Sequence, residues 1–104
     1  MLNHITVMGR LTKDPELRQT ANSSVTNFTL ACSRDRGEET DFIDAVAWGR
    51  TAEFVSQYFS KGQMAVVDGR LQIREWTDKE DRRHIDAEVV AERVYFGEAK
   101  RERG

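Results

Sequence analysis

The run Asp41-Phe42-Ile43-Asp44-Ala45-Val46-Ala47-Trp48 constrains this chain more than any other stretch. It holds no proline and no glycine and is rich in β-branched and aromatic residues, so it reads as a strand. Successive side chains of a strand leave on opposite faces. One face carries Ile43, Ala45 and Ala47, small and apolar, suited to a tight interior. The other carries Phe42, Asp44, Val46 and Trp48. A strand with apolar groups on both faces needs cover on both. The first cover is the chain's own core. The second must be another layer, another subunit or a ligand with flat surfaces.

The rest of the chain supplies partners for that strand. Asn3 to Leu11 alternates Ile5 and Val7 with Thr6, Met8 and Arg10, a first strand in which Gly9 marks a bulge or a close backbone approach. Residues 12–24 form a loop opened by Asp14-Pro15. Val25 to Ser33 is a second strand, with Phe28, Leu30 and Cys32 inward and Asn27 and Thr29 outward. A charged turn around Gly37, Arg34 to Thr40, leads into the third strand. From Arg50 to Ser60 the apolar period becomes helical, placing Phe54, Val55, Tyr58 and Phe59 on one core-facing side. Thr51 is suited to cap that helix and Gly62 to stop it. Met64 to Trp76 is a long fourth strand bent at Gly69, with Leu71 and Ile73 inward and Arg70, Gln72, Arg74 and Trp76 outward. A polar hairpin loop, Thr77 to Arg82, joins it to a fifth strand, Arg83 to Phe96, with Ile85, Ala87 and Val89 inward.

At 104 residues the chain is one domain, expected over 1–97, with a charged, frayed end over 98–104. No apolar run approaches the roughly 18 residues of a membrane span. Cys32 is the single cysteine, which excludes a disulfide framework and fits a reducing, cytoplasmic home. A net charge of −2 excludes a uniformly cationic nucleic-acid protein but not a local basic face. Three strands, one helix and two strands, with the long strands bent at glycine, is the order of the five-stranded oligonucleotide/oligosaccharide-binding (OB) barrel, all-β with a short helix between the third and fourth strands.

Several tracts, in order, carry a resemblance. They are Met1-Leu2-Asn3, Met8 to Arg18, Phe28-Thr29-Leu30-Ala31, Asp41-Phe42-Ile43, Trp48 to Glu53, Lys61-Gly62, Val67 to Gln72, Arg74-Glu75-Trp76 and Glu88-Val89-Val90-Ala91. Together they resemble the bacterial single-stranded-DNA-binding proteins over nearly the whole chain. The resemblance implies an OB barrel, usually a homotetramer, that wraps single-stranded DNA without reading its sequence and protects it during replication, recombination and repair. It places stacking aromatics at Phe42, Trp48 and Trp76, and the strand pattern independently turns all three away from the core.

Sequence-independent binding combines flat π-faces for bases with cations for phosphates. Arg50 and Arg74 lie two residues from Trp48 and Trp76, and Arg70, Lys61, Arg10 and Arg18 complete the expected cationic set. The resemblance also implies that the first strand pairs with a twofold mate, giving dimers that build the tetramer. Asp44 departs from the pattern, since a carboxylate on the binding face repels phosphate. The 34–40 loop is short and lacks an aromatic. Bacterial relatives continue into a disordered linker and an acidic, apolar tip that recruits replication enzymes. This chain ends at Lys100-Arg101-Glu102-Arg103-Gly104, so recruitment through such a tip is not expected of it.

Two other classes compete. A primosome-type accessory protein on the same barrel, acting mainly through protein partners, would lack the aromatic set. An enzyme would need a catalytic constellation. Here His4 and His84 lie far apart in sequence, Asp41 and Asp44 point to opposite faces, and no phosphate-cradling glycine loop is present. No catalytic residue, metal or cofactor is expected.

Overall fold

The computed structural model describes residues 1–98. Of the frayed end expected over 98–104, Glu98 is described and is held by Arg10 and the Met64 N–H; the other expected residues lie outside the described ones. Six strands and one helix follow in order: β1 (Ile5–Leu11), β2 (Arg18–Gln19), β3 (Ser24–Ser33), β4 (Thr40–Trp48), α1 (Gly49–Tyr58), β5 (Met64–Thr77) and β6 (Arg83–Phe96).

Alternation builds the sheet, and five of its strands close into a ring. β3 and β4 form a long antiparallel hairpin, from Val25 opposite Trp48 to Ser33 opposite Thr40. β5 pairs with β1 on one side and with β6 on the other, both antiparallel. A short parallel pairing of β4 with β6, Ala45–Val89 to Ala47–Ala91, joins the two halves. Arg10–Ala31 and Leu11–Leu30 bring β1 back to β3. This is the OB barrel expected from the element order.

Two glycines permit the closure by close approach. A Cβ on Gly69 would lie 1.9 Å from the Val90 carbonyl oxygen, where the β5–β6 register shifts. A Cβ on Gly9 would lie 2.7 Å from both the Ala31 oxygen and the Cys32 sulfur. Inside, Leu30, Ala45, Ala47, Val67 and Val89 are fully buried. The helix covers one end with Ala52 and Val55, and Phe59, which follows it, stacks on Phe96 at 4.5 Å.

The structure corrects the sequence reading in four places. The loop after β1 contains β2, two residues paired with Ser24 and Val25. The helix begins one residue earlier than expected, at Gly49, and has no side-chain cap; the Thr51 hydroxyl reaches the Glu92 carbonyl instead. Tyr58 is half exposed beside Phe54 rather than core. Leu71, Ile73, Ile85 and Ala87 do not face a core: Ile73 is 57% and Ile85 67% exposed. The cause is length. β5 and β6 run on together to Thr77 and Arg83, whereas β4 meets β6 only from Val89 onward. Between Val89 and the tip the hairpin is an arm, and its inner face has no layer opposite among the described residues.

Candidate nucleic-acid interface

Trp48 ends β4 and occupies the N-cap position of α1, in extended conformation, and Gly49 turns the chain there at φ +58. A left-handed glycine immediately after the strand allows helix and strand to meet without a loop. The indole is thereby left on the outer face, 50% exposed, with Val25 as its cross-strand neighbour. It borders a hollow of about 300 Å³ whose apolar floor is Val25, Val46 and Val90. Arg18, Asn27, Arg70, Gln72, Arg74 and Glu88 form its polar walls.

Phe42 lies on the same face of β4, opposite Ala31, and is 68% exposed. Trp76 lies on the same face of β5 as Gln72 and Arg74, 41% exposed, with its indole N–H donated to Asp86 at 2.6 Å. None of the three aromatics is sealed in the core.

The cations divide. Arg74 lines the Trp48 hollow and a second one shared with Lys13, Asp44, Asp86 and Glu88. Its guanidinium has no partner among the described residues. Arg70 donates to Gln72 (3.1 Å), which donates on to Glu88 (3.3 Å), and Arg18 donates to Asn27. Arg50 is exposed in the first turn of α1, next to Trp48 in the chain but outside both hollows. Lys61 also lines neither hollow; its backbone N–H donates to Asp14. Arg10 is held elsewhere, donating to the Gly62 carbonyl (2.9 Å) and Glu98 (3.2 Å) beside a separate hollow with Met8 and Met64.

Carboxylates on this face are more numerous than the sequence reading allowed. Asp44 accepts from the Thr29 hydroxyl at 2.8 Å. Asp86 and Glu88 stand across the β5–β6 ladder from Arg74 and Gln72. His84, opposite Trp76, also stands on this face, where the strand pattern alone does not place it. Fixing the hairpin tip at Glu80 would have found all three, because pairs equidistant from the tip then share a face.

Ion pairs tie one hairpin tip, and hydrogen bonds to Asp78 tie the other. In the 34–40 loop Arg34 binds both Glu39 and Asp41. The Arg34 hydrogen bond holds the Asp41 carboxyl below the usual carboxylate range, and the same bond raises the guanidinium. Burial, and then Asp41, push the neighbouring Cys32 thiol up. At the other tip, the hydrogen bond from His84 and the backbone N–H groups of Arg82 and Glu80 hold the Asp78 carboxyl down. Among the described residues no group of His, Cys, Asp and Glu has the arrangement of a metal site.

Residues 2–97 match the single-strand binding protein family. The chain is 49% identical, over 96% of its length, to the single-stranded DNA-binding protein of Halalkalibacterium halodurans, of which the match covers 63%. It is 52% identical to single-stranded DNA-binding protein 2 of Staphylococcus aureus strain COL, over 96% of this chain and 76% of that one. It is 49% identical to single-stranded DNA-binding protein A of Bacillus subtilis strain 168, over 96% of this chain and 62% of that one. The chain thus spans less than two thirds of the Halalkalibacterium and Bacillus relatives and about three quarters of the Staphylococcus one. A closed five-stranded barrel with outward aromatics, and a family match along almost its full length, place this chain in the single-strand binding protein family.

Proposed function

We propose that this chain is a non-enzymatic binder of single-stranded DNA, indifferent to sequence, that protects the strand during replication, recombination and repair. Bases stack on Trp48, Trp76 and Phe42. Arg74, Arg70 and Arg18 take phosphates along the groove between β3, β4 and the β5–β6 arm, and Arg50 meets the strand where it leaves Trp48. The observation that carries this reading is the partial exposure of Trp48, Trp76 and Phe42 on the outer face, with Trp48 and Arg74, which has no partner among the described residues, lining one hollow. Arg10 and Lys61 have the weaker claim to the interface, since neither lines these hollows.

The test is substitution. Trp48→Ala and Trp76→Ala are each expected to weaken oligo-dT binding by about 1–3 kcal/mol while the thermal transition stays two-state and near its original midpoint. Collapse of the fold in either variant would instead assign that tryptophan a core role.

We further propose a homo-oligomer, a tetramer built from β1-paired dimers. β1 uses one edge for β5, and its other edge meets β3 only at Arg10 and Leu11. The second edge of Ile5–Met8 has no strand beside it among the described residues, and unblunted edges recruit partners. Met8, Val66 and Tyr95 form an outward apolar row across β1, β5 and β6 that a second dimer would cover. Sedimentation at micromolar concentration distinguishes this from a monomer. Such a protein works in the cytoplasm, at the nucleoid; no helix among the described residues is long and apolar enough to cross a membrane.

A further inference from the structure

Trp76 is the most constrained of the three aromatics. His84 stands directly opposite it in the β5–β6 ladder, and their rings stack at 4.3 Å between centroids with 17° between planes. The indole N–H is held by Asp86. The imidazole is itself anchored: its Nε2 lies 2.8 Å from Oδ2 of Asp78. The other oxygen of Asp78 accepts the backbone N–H groups of Glu80 (2.9 Å) and Arg82 (3.0 Å). The Asp78 N–H donates to the Arg82 carbonyl at 3.0 Å, closing the same tip. A continuous set of contacts therefore runs from the tip through Asp78 and His84 to the indole and on to Asp86.

We propose that His84 is a positioning residue for Trp76. It backs one face of the indole, fixes the ring to the hairpin tip through Asp78, and leaves the opposite face as a preformed platform for one nucleobase. This rests on the reading of Trp76 as a stacking residue and adds how that residue is held. The physical need is plain from the fold. The arm extends past the barrel, so no packed layer restrains a side chain there. An exposed tryptophan free to change rotamer must be ordered at the moment of binding, which lowers affinity. A ring already stacked and hydrogen-bonded has lost that freedom beforehand. The depressed titration of Asp78 is in keeping with a carboxylate committed to His84 and to the tip. Arg83, the neighbour of His84, leaves on the other face and pairs with Glu75 at 3.0 Å, so it does not share this role.

A rival role for His84 is direct contact with phosphate as a cation, and the two are separable. Oligo-dT affinity is measured across a range of salt concentrations for the native chain, His84→Ala, Trp76→Ala, the double variant and His84→Phe. Positioning predicts that His84→Ala weakens binding about 3- to 10-fold, the size of one aromatic pair, with the salt slope unchanged. The same substitution made in Trp76→Ala costs less than about twofold, because the residue it serves is gone. His84→Phe, which keeps a ring behind the indole, restores most of the affinity. The proposal is overturned if His84→Ala binds like the native chain, if it costs as much without Trp76 as with it, or if the salt slope drops by about 0.7, as loss of one phosphate contact requires. A loss in His84→Phe equal to that in His84→Ala contradicts the backing role as well. Unchanged binding in Trp76→Ala would remove the platform itself, whereas a loss there with none in His84→Ala removes only the role of His84.

Discussion

Arg74 and Asp86 face each other across the β5–β6 ladder, yet no ion pair joins them. The Asp86 carboxylate accepts the indole N–H of Trp76 instead, and the guanidinium is left facing the two hollows of the outer face. An arginine held near a carboxylate but not bound to it retains its charge for another anion. Arg74→Ala is therefore expected to lower the slope of log affinity against log salt by about 0.7, the share of one phosphate on a single strand. Arg10→Ala, whose guanidinium is already committed to Gly62 and Glu98, is expected to leave that slope unchanged. Equal effects of the two substitutions would contradict this placement of the strand.

The sequence made the barrel legible because its signals are local. Alternation in 41–48 and 25–33, the helical period around Phe54 and Phe59, and the glycines at 9 and 69 can each be read within a few residues. What escaped depended on distant pairings. Leu71 and Ile85 carry the inward pattern of a strand, but whether a layer exists opposite them depends on how far β4 reaches along β6. β2 is too short for any period to register. α1 starts one residue earlier than its apolar period indicates because the chain turns at a left-handed Gly49, with no side chain capping the first turn. On the outer face, the resemblance points to Trp48 and Trp76, alternation turns both outward, and spacing adds Arg74 beside Trp76. His84, Asp86 and Glu88 become visible only once the hairpin register is known.

Asp44 is the carboxylate to remove. It sits on the outer face of β4 between Phe42 and Val46, and its hydrogen bond comes from a neutral hydroxyl, that of Thr29. Nothing cationic neutralises it among the described residues. Asp44→Asn keeps the acceptor for Thr29 and deletes the charge. It is expected to raise oligo-dT affinity about two- to fivefold at low salt, with the gain shrinking as salt rises. A fall in affinity at low salt would place the strand away from this residue.

Gly69 tests the closure of the barrel. An added Cβ would sit 1.9 Å from the Val90 carbonyl oxygen, which is backbone and cannot swing aside. Gly69→Ala is expected to cost at least about 1–3 kcal/mol in denaturant unfolding, as overpacking of a tight site does. An unaltered midpoint would mean that β5 and β6 are further apart at this bend.

The β5–β6 tip has a pH dependence whose sign follows from Asp78. Its folded-state value is depressed, so its contribution is present above the ordinary aspartate value, near 3.9, and is lost as pH falls through the lower folded value. The amide signals of Glu80 and Arg82, both bonded to Asp78, should titrate together with a midpoint below that ordinary value. Asp78→Asn should abolish the step. A midpoint at or above about 4 would contradict the contact with His84.

The most direct test of the central claim is tryptophan emission during titration with oligo-dT at low salt. Trp48 and Trp76 are the two tryptophans of the chain, and both lie on the proposed binding face. Stacking of bases on both predicts strong, saturable quenching that reverses as salt dissociates the complex. Emission that stays constant through a titration in which the strand demonstrably binds, or the absence of any binding at low salt, would contradict it.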